Sequence, residues 1–318
     1  MKQIDNSDLS TNIVEQVQKI EQANNKKISI YADYSDQDFL TLDQASHEIK
    51  GDEIKIIITN EKFRDFVLAH ELYHIELELS DEPSISCAVT SGKPDYDGRI
   101  LAIANSVFET LEHVSVLKSQ QADGTYNDET KAEFLKGIDA ALNPKVQLDL
   151  ANMRFYRTLI MFDGIIFGEH AKDSEWKDEF PSSYKYASRL VKIAEANDLS
   201  DSFHFRRALV NALDTYNEVI LENGYEGLGY HEFLNITPVL SKRQLRLELN
   251  QVYQVKHSAF KNRATGKDAF VLLGINDGQS VTTLDIDPNK VTPEFYKAFY
   301  QYKIEDVFKK EEVRFLTR

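Results

Sequence analysis

The sequence has little of what cross-links or interrupts a polypeptide chain. Its 318 residues include one cysteine, Cys87, which excludes an intramolecular disulfide framework and favours a reducing compartment. Only 13 glycines and 7 prolines occur, so long helices are expected. No apolar run approaches the roughly 20 residues of a membrane span, and the polar stretch 1–10 lacks the apolar segment of a secretory signal. These absences predict a cytoplasmic protein without a membrane association.

Positive charge is also scarce, with 37 Lys and Arg residues against 52 Asp and Glu residues and a net charge of -15. Such a surface repels phosphate backbones, so nucleic-acid binding is disfavoured. One exception is the basic strip 242–267, which holds several Lys and Arg residues and the single acid Glu248. It could bind a protein partner, although a solvated helix face is the commoner explanation of such a strip.

Apolar residues make up 42% of the chain, enough to build globular cores, and the length favours two or three domains. We expect an α+β protein in three consecutive parts. Residues 1–125 would form a small catalytic unit of sheet and helices, residues 126–260 a mainly helical region, and residues 261–318 a small hairpin-plus-helix element.

Local patterns support this division. Apolar spacing and β-branched residues predict the following elements in chain order: a helix at 11–23, strands at 27–31 and 53–59, a helix from about 61 to 79 capped by Asn60, a second helix at 99–120, helices through most of 128–260, strands at 270–275 and 281–286, and a helix from about 293.

The motif that carries chemistry is His70-Glu71-Leu72-Tyr73-His74, an HExxH pattern on a predicted helix. Histidines at i and i+4 lie on one helix face, so both imidazoles can reach one metal ion. Zinc lowers the pKa of a bound water toward about 7, and the adjacent glutamate can take and pass on its proton. The motif therefore predicts a Zn²⁺ site with His70 and His74 as ligands and Glu71 as the catalytic base.

The surroundings of the motif strengthen this interpretation, because a chance HExxH among eight histidines has a probability on the order of one per cent. The two histidines lie within an apolar stripe of the helix. A second apolar stripe lies on the opposite side of the same helix. A largely buried helix results, and histidines facing a core need a partner, either a metal or hydrogen-bonding groups.

The motif helix resembles the active-site helix of zincin metallopeptidases, particularly small bacterial enzymes of the ImmA/IrrE type. The residues that carry the resemblance are 66–74, Phe-Val-Leu-Ala-His-Glu-Leu-Tyr-His, behind the predicted strand 53–59. The resemblance covers roughly residues 25–120 and implies a peptidase with a protein or peptide substrate. It departs from the ImmA/IrrE pattern at 101–103, where that family has a glutamate.

Catalytic zinc usually takes a third protein ligand. The metzincin pattern fails, since Leu77 and Ser80 stand where it needs glycine and histidine. Gluzincins instead use a glutamate from a second helix, and the predicted helix 99–120 offers two. The segment Leu-Glu112-His113 resembles the second helix of related peptidases, which favours Glu112. Glu109 is the runner-up, because His113 at i+4 could orient it.

Three functions remain open at the level of sequence. The first is a cytoplasmic zinc metallopeptidase of the gluzincin type, with a dedicated regulatory protein as a candidate substrate. The second is a partner-binding or regulatory protein on a zincin scaffold, which the intact Glu71 argues against. The third is a zinc hydrolase of a non-peptide amide or ester, which the motif does not distinguish from a peptidase.

Overall fold

A computed structural model describes residues 1–34, 39–41, 44–143, 150–286 and 291–318. The helices are α1 (Thr11–Asn24), α2 (Arg64–Leu79), α3 (Pro94–Asp123), α4 (Asp128–Leu142), α5 (Leu150–Phe167), α6 (Asp173–Glu179), α7 (Pro181–Glu195), α8 (Ser202–Glu222), α9 (Tyr230–Phe233), α10 (Lys242–Leu245), α11 (Pro293–Phe299) and α12 (Ile304–Lys310).

The strands are β1 (Lys2–Gln3), β2 (Lys27–Ala32), β3 (Ala45–Lys50), β4 (Glu53–Ile58), β5 (Ile85–Ser86), β6 (Val89–Thr90), β7 (Asn235–Ile236), β8 (Val239–Leu240), β9 (Tyr253–Asn262), β10 (Asp268–Gly274), β11 (Ser280–Leu284) and β12 (Leu316–Thr317). Helix and sheet are mixed, which is consistent with the expected α+β class.

The chain divides into two compact units, each built from two segments. Unit 1 comprises residues 1–80 and 109–194, and unit 2 comprises residues 81–108 and 195–318. This division differs from the three consecutive parts 1–125, 126–260 and 261–318 expected from sequence. Local patterns mark helices and strands, whereas which segments pack together is decided by contacts between residues far apart in the chain.

Unit 1 begins with a four-stranded sheet in the order β1-β2-β4-β3. Strands β2 and β4 are parallel, and β3 pairs antiparallel with β4 through the two-residue turn Gly51-Asp52. Gly51 has φ +57°, a conformation that glycine adopts without steric cost. β3 is therefore the edge strand, and α2 contacts both β3 and β4.

The edge strand β3 was not among the elements predicted from sequence. Its residues, Ala-Ser-His-Glu-Ile-Lys, are mostly polar, and none of them is buried. Edge strands tolerate such composition because one side of the strand remains unpaired in the sheet. In contrast, β2 and β4 alternate buried apolar residues with partly exposed ones, and both were predicted correctly.

Helix α2 begins three residues later than expected, at Arg64. Asn60 does not cap this first turn directly; its side chain accepts a hydrogen bond from the backbone N–H of Phe63 at 2.8 Å. The helix is largely buried, as its two apolar stripes predicted, with Leu68, Leu72 and Ile75 fully inaccessible. The burial places the motif at the inner face of unit 1.

Helix α3 extends the predicted second helix at both ends. It is long and apolar enough, by length and composition, to cross a membrane, and half of its most apolar window is buried inside the protein. In the described part of the chain no other helix meets that test. Core helices of soluble proteins pass it too, so the absence of a membrane association stays a prediction.

Unit 2 is built around a sheet in the order β11-β10-β9-β6. The hairpin of β10 and β11 confirms the two strands predicted there. The prediction of helices up to residue 260 is wrong, because β9 is a ten-residue strand antiparallel to β10. The apolar core of this unit includes Leu249, Leu272 and Phe308.

Candidate metal centre

The two histidines of the motif lie one turn apart on α2, and their Nε2 atoms approach to 3.2 Å. His113, from α3, brings a third imidazole to the same point, with its Nε2 atom 3.1 Å from that of His74. The three residues form a group whose ligand atoms all lie within 4.8 Å of one another. Within the described ranges no other group of His, Cys, Asp or Glu meets the same criterion for holding a metal ion.

The spacing of these nitrogens suits zinc. Zn–N bonds of 2.0–2.1 Å in a tetrahedron place adjacent ligand nitrogens about 3.3 Å apart. The two N···N separations in the cluster, 3.2 and 3.1 Å, are close to that value. Two helices, α2 and α3, thus bring three imidazoles together at spacings that a tetrahedral zinc ion could use.

Each imidazole is held from its outer side by an oxygen. Gln120 Oε1 lies 3.1 Å from Nδ1 of His70, and Glu112 Oε2 lies 2.9 Å from Nδ1 of His74. The third oxygen belongs to Asp163 of α5, which forms a very short contact with Nδ1 of His113. Outer partners of this kind set the tautomer and orientation of metal-binding histidines.

The orientation of Gln120 shows which tautomer His70 adopts. The amide nitrogen of Gln120 donates to the carbonyl oxygen of Phe66 at 3.0 Å, and a carbonyl can only accept. The amide oxygen of Gln120 must therefore face His70 and accept the Nδ1 proton. The lone pair of His70 is then on Nε2, directed into the cluster.

The outer partners of the other two rings are the carboxyl groups of Glu112 and Asp163, and each can accept an Nδ1 proton when it is ionised. If all three rings donate Nδ1–H outward, three Nε2 lone pairs converge on one point. That arrangement is unfavourable unless a cation, either a proton or a metal ion, lies between the nitrogens. A proton on His113 or a metal ion bound by the rings would each supply that cation.

The titration behaviour of the rings agrees with a metal-binding role. Burial, and then the charge of His113, lowers the pKa of His74 to about 3. Burial, and then the charges of His74 and His113, lowers the pKa of His70 well below its ordinary value. Burial alone would lower the pKa of His113 too, but Asp163 raises it above the ordinary value. Two rings are thus neutral at neutral pH, and a proton on the third competes with a metal ion.

Glu71 lies beside this cluster and forms a hydrogen bond on its other side. Its Oε1 atom is 2.6 Å from Nδ1 of His47, which lies on β3. The other nitrogen of His47, Nε2, is 2.7 Å from Glu78 of α2. Burial alone would lower the pKa of His47, but the two carboxylates raise it to about 9, so the ring is an imidazolium at neutral pH.

Aromatic side chains form an apolar wall on one side of the cluster. Phe167 is fully buried and meets the rings of His70 and His113 edge-on, with centroids 5.4 and 5.3 Å apart. Phe66 stacks on His70 at 6.2 Å. Apolar surroundings of this kind exclude water and strengthen the interaction of a bound cation with its ligands.

His70, Glu71 and His74 therefore lie together as the motif predicted. The third converging ligand atom belongs to His113, and the group includes neither Glu112 nor Glu109. The carboxylate of Glu112 holds Nδ1 of His74 instead, and burial raises its pKa to about 8. Glu109 is exposed. The candidate third ligand is therefore His113, in place of Glu112 with Glu109 as runner-up, and metal binding itself stays a prediction.

Four residues of the site were not assigned these roles from sequence: His113 as a candidate ligand, and Gln120, Asp163 and His47 as hydrogen-bonding partners. One signal was available for Asp163, a single acid inside the most apolar stretch of the chain, because buried charges need a partner. Nothing local marks Gln120, and His47 lies on the strand that the sequence did not reveal.

The basic strip 242–267 lies in unit 2 and is partly neutralised by neighbouring acids. Lys256 pairs with Glu232 at 2.6 Å, and Lys261 pairs with Asp268. A protein partner at this strip stays a prediction.

Comparisons of the chain with models of known protein families, with curated proteins and with solved structures find no match.

Proposed function

We propose that the chain is a zinc-dependent metallopeptidase whose metal ligands are His70, His74 and His113. The observation that carries the proposal is the convergence of three Nε2 atoms, each on a ring held from behind by an oxygen, beside a carboxylate. The fold of unit 1 is compatible with a zincin-like catalytic unit, since a strand, β4, precedes the motif helix and a second helix completes the ligand set.

The donor set fits zinc better than magnesium or calcium. Three imidazoles are ligands typical of Zn²⁺, whereas Mg²⁺ and Ca²⁺ prefer oxygen. Three neutral ligands leave the full charge of the ion to be balanced by outer groups, and the carboxyl groups of Glu112 and Asp163 contact two of the three rings. A zinc ion bound there would polarise a carbonyl group and lower the pKa of a water molecule.

The residues of the chain then have separate tasks. The three histidines hold the ion, while Gln120, Glu112 and Asp163 orient the rings. Glu71 accepts a proton from the attacking water and delivers it to the leaving amine, as a general base and then a general acid. Side-chain exposure is 14% for His74 and 12% for His113.

Two rival functions share this site. A hydrolase of a non-peptide amide or ester would use the same groups, and a regulatory protein would need only the metal or its scaffold. The retained carboxylate of Glu71, hydrogen-bonded to a protonated His47, favours a catalytic site over a purely structural one, since a structural zinc needs no base. A cytoplasmic location and a peptide or protein substrate stay predictions.

The first test is metal analysis of the purified wild-type protein, followed by incubation with unfolded casein and with a mixture of quenched fluorescent peptides. We expect about one zinc per chain and cleavage that stops when zinc is chelated. Protein that neither contains nor takes up zinc would overturn the metal site. Zinc-bound protein that hydrolyses esters but no peptides would favour the non-peptide hydrolase, and inactivity on both would favour the regulatory protein.

The second test is Glu71→Gln, which removes the base but preserves the size of the side chain. Hydrolysis should fall by about 10²- to 10⁴-fold, the usual contribution of a general base, with zinc content unchanged. Glu76→Gln is the matched control, because Glu76 lies on the same helix and pairs with the exposed Lys19. Undiminished cleavage by the Glu71 variant would exclude the proposed mechanism.

A further inference from the structure

His47 is the one imidazole near the metal centre that does not point a nitrogen at it. It lies in the middle of the edge strand β3, opposite Ile56 of β4 in the sheet register. Its side chain is only 18% exposed and spans from the sheet to α2. Both nitrogens meet carboxylates of that helix, at 2.6 Å for Glu71 and 2.7 Å for Glu78.

The spacing of Glu71 and Glu78 explains how one imidazole, His47, contacts both carboxylates. Glu71 and Glu78 are seven residues apart, which is two turns, so they lie on one face of α2. That face meets β3, because the helix contacts the edge strand. A ring between two carboxylates donates from both nitrogens, and the raised pKa of His47, about 9, agrees with that charge state.

The contact has a direct effect on the carboxylate of Glu71. Oε1 accepts the bond from His47, and in the described part of the chain no group donates to Oε2. One oxygen is therefore fixed while the other is left to exchange a proton. A general base must be held within a few tenths of an ångström to be effective, and a carboxylate without such a tether can rotate about its terminal torsion.

We propose that His47 is a positioning residue for the general base: its Nδ1–H holds Oε1 of Glu71 so that Oε2 faces the atoms at the metal centre. This inference rests on the proposed function. The alternative is a purely structural tie between sheet and helix, in which the bonds of His47 to Glu78 and to Glu71 are equivalent because each only connects β3 to α2.

Two substitutions separate these roles, because asparagine and glutamine amides reach the two ring positions differently. The amide nitrogen of His47→Asn takes the place of Nδ1 and keeps the donor to Glu71. The amide nitrogen of His47→Gln takes the place of Nε2 and keeps the donor to Glu78 only. Glu48→Gln, on the same strand and in an exposed pair with Lys50, is the matched control.

The readout is binding of acetohydroxamate to the cobalt(II)-loaded proteins, followed by visible absorption. A hydroxamate chelates the metal and passes its proton to a neighbouring base, so its affinity reports the placement of Glu71 without any turnover. We expect His47→Asn and Glu48→Gln to bind within about threefold of wild type. His47→Gln should bind about 10- to 100-fold more weakly, as for other lost outer partners, with unchanged cobalt content.

Equal acetohydroxamate affinity in His47→Gln and wild type would overturn the positioning role and leave the metallopeptidase proposal intact. Weaker binding in both His47 variants alike would also overturn it, in favour of the structural tie. Wild-type protein that binds no cobalt would instead overturn the proposed metal site. Where a cleaved peptide has been found, kcat should fall with KM unchanged in His47→Gln and recover in His47→Asn.

Discussion

The two units bury their charged groups in different ways. Unit 1 buries the carboxylates of Glu71, Glu112 and Asp163, and each is hydrogen-bonded to an imidazole. Unit 2 buries Asp97, and its partners are the hydroxyls of Thr90 and Ser91 and a backbone amide. Other buried polar groups of unit 2 are neutral, such as Asn235 and Gln279.

The buried acids of the two units differ in what satisfies them. Burial would raise the pKa of Asp97, but its hydroxyl and amide donors, followed by the charge of Arg263, hold it below the ordinary value. In unit 1, Glu112 and Asp163 contact rings whose Nε2 atoms converge on one point, and Glu71 contacts His47, whose other nitrogen meets Glu78. Buried ionic groups seldom stabilise a fold more than apolar residues would, and the proposed metal centre would account for their concentration in unit 1.

The largest effect is expected from His113→Ala, which removes one converging nitrogen. Zinc affinity should fall by more than about 100-fold, beyond the usual effect of losing an outer partner, because a direct ligand is lost. Competition titration with a chromogenic chelator measures this affinity. Glu109→Ala, one turn earlier on α3 and exposed, should bind zinc like wild type. The opposite result, with His113→Ala unaffected and Glu109→Ala impaired, would restore a glutamate ligand.

Leu272→Ala tests whether unit 2 affects stability without affecting the metal centre, since Leu272 is fully buried in the core of unit 2. Truncation should lower the free energy of unfolding by about 2–5 kcal/mol through lost burial and a cavity. Zinc content per folded chain should not change, because every ligand and outer partner belongs to unit 1. Urea unfolding measures the free energy of unfolding, and metal analysis at low temperature measures the zinc content of the folded variant. A loss of zinc from folded variant protein would contradict the assignment of the whole site to unit 1.

Asp163→Asn should give the smallest of these changes. The amide oxygen can still accept from His113, but the negative charge behind the ring is lost. Zinc affinity should fall by about 10- to 100-fold, equivalent to about 1.4–2.8 kcal/mol. Asp97→Asn is the control, because it makes the same substitution at the buried acid of unit 2. If both variants bind zinc equally well, the carboxylate of Asp163 has no influence on the metal centre.

Much of the site could be predicted because it is local. His70, Glu71 and His74 lie on one helix, and helical periodicity places the two imidazoles on one face whatever the rest of the chain does. The buried strands β2 and β4 and the hairpin of β10 and β11 were found for the same reason, since their alternation or turn residues are visible over a few positions. The sequence of β9 also alternates in part between apolar and polar residues, a local pattern that favours a strand, although we predicted helices for that stretch.

The remaining features depend on contacts that no local pattern encodes. Glu112 and His113 are adjacent on α3, and helical geometry turns neighbouring side chains by about 100°, so only the packing of α3 against α2 decides which one reaches the cluster. Asp163 comes from α5 and His47 from an edge strand whose polar composition resembles a loop.

By itself, the sequence of this chain determined that a histidine pair and a glutamate share one buried helix, because that spacing is built into the helix. The tertiary structure alone decided that His113 completes the cluster, that Glu112 supports His74 from behind, and that His47 holds Glu71. Those assignments depend on which faces of α2, α3, α5 and β3 meet. A small rotation or shift of α3 would bring Glu112 to the cluster in place of His113.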